Sequence, residues 1–210
     1  ICVSDLQSLS AFVHYTQSKS FSGYFMNFCS TCGNPVTRKI PEGDNRLRYV
    51  CESCEEIHYQ NPRVIAGILP IYGSQILLCK RSIEPRVGYW TLPAGFLENG
   101  ESTLDGALRE CAEEAKATMI NPHLYAIFDI PEINQVYIFF RAELAEPSFG
   151  PTLESSEVAL FDEADIPWSE LAFPMVEEAL DFYLEDRKIG EYSVKRKDIR
   201  RPWKSRHVSD

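Results

Sequence analysis

At 210 residues the chain has room for one catalytic-sized domain plus a small appendage, with ample length for a core. An apolar content of 44% and a charged content of 25% are ordinary for a soluble globular protein, and no apolar run is long enough to read as a transmembrane helix. The formal net charge of −10 argues against non-specific binding to nucleic acid or anionic membrane. An anionic substrate must therefore be met by a cation or a local basic pocket.

Residues 1–25 lack the basic and apolar regions of a secretory signal and read as a disordered extension or a short helix, with Met26 as a natural start and Cys2 as an uninvolved thiol. From 26 to 60 the pattern changes. Cys29-Ser-Thr-Cys32 and Cys51-Glu-Ser-Cys54 are two Cys-x2-Cys knuckles at the separation of a four-thiolate zinc site. With seven cysteines in all, this fits metal binding in a reducing, cytoplasmic setting better than a disulfide framework. Four thiolates leave no position for water, so the Zn²⁺ of Cys29, Cys32, Cys51 and Cys54 is structural, and its binding drives folding of a ribbon with almost no core. His58 reads as a packed linker residue, with assistance to zinc as the other reading.

Val64–Leu69 reads as a buried strand and Gln75–Arg81 as a second, joined by a turn at Gly73-Ser74, with Cys79 in the core. Arg81 and Arg86 precede Gly88-Tyr-Trp90-Thr-Leu-Pro-Ala-Gly95. For these arginines, contacts to substrate phosphate or carboxylate and an ordinary surface role stand evenly balanced. A helix beginning near Ser102 or Thr103 places Glu110, Glu113 and Glu114 on one face. Like charges so stacked cost about 0.2–0.5 kcal/mol per pair unless solvated or bridged by a cation, and Mg²⁺ typically sits between carboxylates and substrate phosphates. Strands follow at His123–Ile130 and Gln135–Leu144. Phe128, Tyr137 and Phe139 could stack on a purine or flavin ring, though most such aromatics are core. Glu157 stands just before a further strand. Pro174–Leu184 carries helical apolar spacing, and the basic stretch 187–210 is expected as a flexible solvated end, with docking on the acidic body as the alternative.

The segment from Gly95 through Glu101, Arg109-Glu110 and Glu113-Glu114 resembles the signature of the Nudix hydrolases, Gly-x5-Glu-x7-Arg-Glu-U-x-Glu-Glu-x-Gly-U, where U is a bulky aliphatic residue. It departs at Cys111, Ala117 and Lys116. The last stands where the family has glycine, so the helix must end without its usual left-handed glycine. The resemblance implies an α/β (α+β) fold, a Nudix-type α/β/α sandwich with a mixed sheet, preceded by the small zinc ribbon. Domains are expected at 61–186 for the catalytic unit and 187–210 for the tail. It implies Mg²⁺- or Mn²⁺-dependent hydrolysis of a nucleoside diphosphate linked to another moiety. Glu110 and Glu114 are the first-choice ligands with the Ala94 carbonyl, and Glu113 is a ligand or a base. Arg109 orients the glutamates and Glu101 anchors the loop before the helix. Glu157 resembles an extra downstream ligand or base, the alternative being an exposed strand-edge residue. Arg81, Arg86, Trp90 and Tyr137 are assigned to the nucleotide.

Asp129-Ile-Pro through Gln135-Val-Tyr, Glu154-Ser-Ser-Glu157, Leu171-Ala-Phe and Tyr183-Leu-Glu-Asp are similar to the plant FAD diphosphatase branch of the family. That likeness implies cleavage of FAD or ADP-ribose to release AMP, and relatives of this kind are commonly homodimers. An NADH-cleaving branch carries a Ser-Gln-Pro-Trp-Pro-Phe-Pro run with no counterpart here, but NADH and capped RNA stay open as substrates. From a different class, a catalytically silent ribbon that binds nucleic acid or another partner is disfavoured. Arg38, Lys39, Arg46 and Arg48 are balanced by Glu42, Asp44 and Glu52.

Overall fold

A computed structural model describes residues 25–200 and His207, in two units that divide at His58. The expectations for residues 1–24, including Cys2, lie outside the described residues. No helix among the described residues is long and apolar enough to cross a membrane.

The first unit is a three-stranded antiparallel sheet of β1 (Val36–Lys39), β2 (Arg48–Cys51) and β3 (Ile57–His58), in that order. The turn between β1 and β2 is built by Asp44. Its carboxylate accepts the Asn45 and Arg46 N–H groups at 2.6 and 3.1 Å and pairs with Arg48 Nε at 2.8 Å. Among the described residues of this unit, only Cys29, Tyr49, Val50 and Cys51 are buried apolar positions, so hydrophobic burial there is a minor source of stability.

In the second unit, β4 (Arg63–Tyr72) and β5 (Gln75–Arg81) form a hairpin. They are followed by β6 (Trp90–Thr91), β7 (Ala94–Phe96), α1 (Thr103–Ala115), β8 (Met119–Ile130), β9 (Gln135–Leu144), β10 (Ser155–Phe161), α2 (Pro174–Ile189) and β11 (Lys195–Asp198). The sheet runs β10-β5-β4-β9-β8-β11, with β6 on β5 and β7 on β4. β4–β9 and β8–β11 are parallel and the other pairs antiparallel, so the sheet is mixed. Alternation explains why β4 reads as an unbroken apolar run: Ala66 and Ile68 pack with Ala107, Cys111 and Ala115 of α1, whereas Leu69 and Ile71 pack with Val176, Ala179 and Leu180 of α2. A helix on each face makes the expected α/β/α sandwich.

Helix α1 begins at a capping box, in which Ser102 Oγ accepts the Asp105 N–H at 3.1 Å and Asp105 returns a bond to the Ser102 N–H at 3.3 Å. It ends at Lys116, which adopts the left-handed conformation itself (φ 56°) and donates its N–H to Ala112 O at 3.0 Å. The turn that glycine makes elsewhere is therefore kept, at the steric cost of a side chain in that region.

The C-terminal expectations need correction. α2 continues past Leu184 to Ile189 because Arg187 and Lys188 extend the helix without extending its apolar stripe, and cations suit its C-terminal end. The basic stretch through residue 200 is docked. β11 adds in parallel to β8, Ile199 is 4% exposed in the α2-side core, and Lys195 and Lys197 reach Asp186 and Glu178 at 2.8 and 2.6 Å. Those two carboxylates are buried on α2, and a buried charge requires a partner. Arg196 pairs with Asp129, and His207 lies 2.6 Å from Asp181 and stacks on Trp168.

Candidate functional site

The three glutamates of α1 occupy different environments. Glu110 and Glu114 are buried, at 9% and 5% exposure, whereas Glu113 is open to solvent. Between them and the preceding loop sits Arg109. Its Nε and Nη2 grip Glu101 at 3.0 and 2.8 Å, its Nη1 reaches Glu110 at 2.7 Å and Glu113 at 3.0 Å, and Nη2 also donates to Phe96 O at 3.2 Å. One planar guanidinium thus ties the loop, the end of β7 and the helix together. The bonds from Arg109, with the Glu98 N–H, hold the Glu101 carboxyl down at about 2, and Glu101 receives that N–H at 2.8 Å. Arg109 spans loop and helix.

Burial pushes the Glu114 carboxyl up to about 7; the Ala94 N–H opposes this at 3.1 Å, and the charges of Glu110 and Glu154 add to it. Glu110 is raised by the same desolvation, partly offset by Arg109, with Glu113 and Glu154 raising it further. Two carboxyls one turn apart, both raised by burial, are suited to hold a divalent cation that replaces the lost solvation.

β7 brings the backbone onto these side chains. A Cβ added at Gly95 would lie 2.2 Å from Glu110 Oε1 and 2.3 Å from its Cδ, so only glycine lets the strand approach this closely. Ala94, the residue before it, holds Glu114 through its N–H and so lies against this ligand candidate.

In the downstream segment Glu157 takes the alternative place, that of an exposed strand-edge residue. Glu157 lies within β10, opposite Lys80, to which it pairs at 3.5 Å, and is half exposed. The carboxylate outside α1 whose charge acts on both Glu110 and Glu114 is Glu154. Thr152 places it: Oγ1 accepts the N–H groups of Glu154 and Ser155 at 3.2 and 3.1 Å while reaching back to Glu114 O at 3.5 Å. In the run Glu154-Ser-Ser-Glu157 the expected residue is Glu157; Glu154 was overlooked, and nothing in the spacing distinguishes it.

Among the nucleotide candidates, Arg81 donates to Pro85 O at 2.8 Å, stacks over Phe173, and its charge is felt by both Glu114 and Tyr137. Tyr137 is partly buried, which raises its phenol to about 12, and bonds Gln135 Oε1 at 3.2 Å. Arg86 stacks on Tyr89 within the loop between β5 and β6. Trp90 is a correction: it is 5% exposed, edge-on to Phe161 with centroids 4.8 Å apart and under Lys80, so its ring is spent on the core. Phe96 was overlooked. Its ring is 49% exposed directly beside Gly95, with Arg63 at 5.2 Å. Phe128 and Phe139 are core.

In the first unit the four ribbon cysteines converge. Cys29 and Cys54 Sγ are 3.6 Å apart, Cys32 and Cys51 3.4 Å, and all four sulfurs lie within 4.8 Å of one another. A zinc ion with bonds of about 2.3 Å in a tetrahedron spaces its sulfurs at about 3.8 Å, so the set fits. Burial opposes ionisation of Cys29, but the N–H groups of Cys32 and Thr31 and the His58 ring outweigh it and bring the thiol down to about 6.

Residues 27–60 match the family model described as Nudix N-terminal and residues 61–184 the model of the NUDIX domain. A crystal structure of a NUDIX hydrolase from Nitrosomonas europaea is 47% identical, with a TM-score of 0.79, covering 83% of this chain and 100% of that one. Over 132 residues the chain is 30% identical to the NAD-capped RNA hydrolase NudC of Stutzerimonas stutzeri, covering 63% of this chain and 46% of the relative. Over 99 residues it is 35% identical to the human mitochondrial NAD(P)H pyrophosphatase NUDT13, covering 47% of this chain and 27% of the relative. The chain thus spans about half the length, or less, of these curated relatives.

Proposed function

The chain belongs to the Nudix hydrolase family, with an N-terminal zinc ribbon, and from that premise we propose that it hydrolyses the diphosphate bond of a nucleoside diphosphate derivative, FAD or ADP-ribose, to release AMP. The observation that carries the reading is the burial of Glu110 and Glu114 side by side, both carboxyls raised, beneath a strand end that only Gly95 allows to come so near.

Glu110, Glu114 and the Ala94 carbonyl are assigned to hold a divalent ion, Mg²⁺ or Mn²⁺, with Glu154 ahead of Glu157 as the carboxylate supplied from outside the helix. When bound, such ions neutralise phosphate oxygens and acidify the attacking water. Glu113 is open to solvent and one turn from Glu110, which suits it to take up and release the proton of that water. Arg109 is the positioning group for Glu110 and Glu113, and it ties both to Glu101 of the preceding loop. Arg81 supplies local positive charge toward a diphosphate in a chain of net charge −10. Phe96 and Tyr137 offer rings for the base or the isoalloxazine, and Arg86 remains an assignment to the phosphates.

NADH is the second reading, favoured by the NAD(P)H pyrophosphatase and NAD-capped RNA hydrolase among the relatives. Incubating the chain with FAD, ADP-ribose, NADH and a capped RNA, with Mg²⁺ or Mn²⁺ and chromatographic identification of products, ranks them. Glu114→Gln is expected to lose about 10²-fold or more in turnover on every member of the panel, as for loss of a group that stabilises transition-state charge. Equal turnover by that variant removes Glu114 from the mechanism. A homodimer and residence in a reducing compartment complete the proposal.

A further inference from the structure

His58 lies at the end of β3, where it pairs with Tyr49 of β2, the strand that also carries Cys51. Its Nε2 is 3.3 Å from Cys29 Sγ. A cysteine bound to metal carries no proton, so in the loaded ribbon the hydrogen of this contact must come from the ring. Four thiolates around one divalent ion leave surplus negative charge on sulfur, which water or protein donors have to stabilise. Cys32 and Cys54 are exposed and can use water, whereas Cys29 is 3% exposed and cannot. Its donors are the backbone N–H groups of Cys32 and of Thr31, the latter at 3.4 Å, and, as the side-chain donor, the His58 ring.

We propose that His58 is a positioning residue of the ribbon's metal centre, donating its Nε2–H to the Cys29 thiolate and fixing that sulfur in its ligating orientation. This rests on the zinc reading of the four cysteines. β3, only two residues long, then has a role: it aims a donor at one of the two ligands, Cys29 and Cys51, that solvent does not reach. Chain connectivity makes β3 the link between the last knuckle and the second unit, so the same residue that leaves the ribbon also secures its metal.

The test uses the full chain with His58→Phe, which keeps an aromatic ring but no donor, and His58→Gln, which keeps a donor. Zinc content is measured on each protein, followed by the rate of zinc release to a chromogenic chelator. The thiolate-to-metal charge-transfer band is then recorded after cobalt substitution. His58→Phe is expected to release zinc about 10- to 100-fold faster than the unaltered protein, the usual effect of losing a partner of a metal ligand. Its cobalt band is expected at lower energy, because the sulfur holds more electron density. His58→Gln is expected within a few-fold of the unaltered rate, with the band restored. Unchanged release and band in His58→Phe, or release from His58→Gln as fast as from His58→Phe, overturns the assignment. If His58→Phe does not retain zinc at all, retention by His58→Gln supports it and equal loss overturns it. Substoichiometric zinc in the unaltered protein instead refutes the metal site itself, an outcome distinct from a site that is occupied but indifferent to His58.

Discussion

Replacing Gly95 by alanine separates the proposed metal site from the fold. The added Cβ would stand 2.2, 2.3 and 2.4 Å from Oε1, Cδ and Oε2 of Glu110, where ordinary contact needs at least about 3.4 Å. The Glu110 carboxyl must therefore retreat by about 1 Å or rotate away from Arg109. Gly95 is not among the residues with positive φ, so alanine meets no backbone strain there. What moves is the end of a side chain with rotamers to spare, so the expected stability loss is small, within about 1 kcal/mol. A ligand displaced by about 1 Å is expected to cost about 10²-fold in kcat, or close to 2.7 kcal/mol of transition-state stabilisation. Gly67 is the internal comparison. A Cβ there meets Ala94 Cβ at 2.6 Å, Phe139 Cε1 at 2.6 Å and Pro93 O at 2.9 Å, which are a packed core and backbone with nowhere to go. Gly67→Ala is expected to lower the urea midpoint by the equivalent of about 1–3 kcal/mol. The assay is urea unfolding by circular dichroism beside magnesium-dependent turnover on the best dinucleotide. A Gly95→Ala protein that turns over at the unaltered rate and magnesium dependence would refute the idea that Glu110 is held for metal by the close approach of β7.

Three further outcomes follow from the same structure. Because the Glu114 carboxyl is raised from 4.5 to about 7, the native state binds an extra proton between those values. Without magnesium or manganese, stability conferred by that proton is present at low pH and is lost as pH rises through about 4.5 to 7, by an amount of order 3 kcal/mol. The difference between unaltered protein and Glu114→Gln in urea midpoints across that range measures it, and a flat difference contradicts the burial argument. Lys116→Gly, at a left-handed C-cap with φ 56°, is expected to raise stability by about 0.5–1 kcal/mol with activity unchanged; a loss of stability there would show that the lysine side chain contributes more than its backbone costs. Ile199→Ala is expected to lower stability by about 2 kcal/mol, since the residue is 4% exposed in the α2-side core, and an unchanged midpoint in chemical denaturation would mean that the C-terminal strand is not docked in solution.

Most of the architecture was legible from local chemistry. The β4 and β5 runs, the start of α1 near Ser102 and the two cysteine knuckles each combine residues close in sequence whose spacing has one physical solution. The same holds for Arg109, whose distances to Glu101, Glu110 and Glu113 follow from a loop and a helical period. The C-terminal strand was not legible. Lys195, Arg196 and Lys197 look like a solvated basic run until Asp186, Glu178 and Asp129 are seen opposite them. Trp90 looked available to a ligand because nothing near it in sequence announces Phe161.

By itself, the sequence determined which carboxylates share a helix face and which thiols form a cluster, because helix periodicity and tight knuckle turns act over a few residues and tolerate little variation. Only the tertiary structure decided which of those groups are buried, and so which titrate abnormally, that the charge of Glu154 reaches Glu110 and Glu114, and that His58 meets Cys29. Those outcomes depend on strand register and on which distant segments pack together, quantities set by the summed burial of the whole sheet and not by any one stretch of chain.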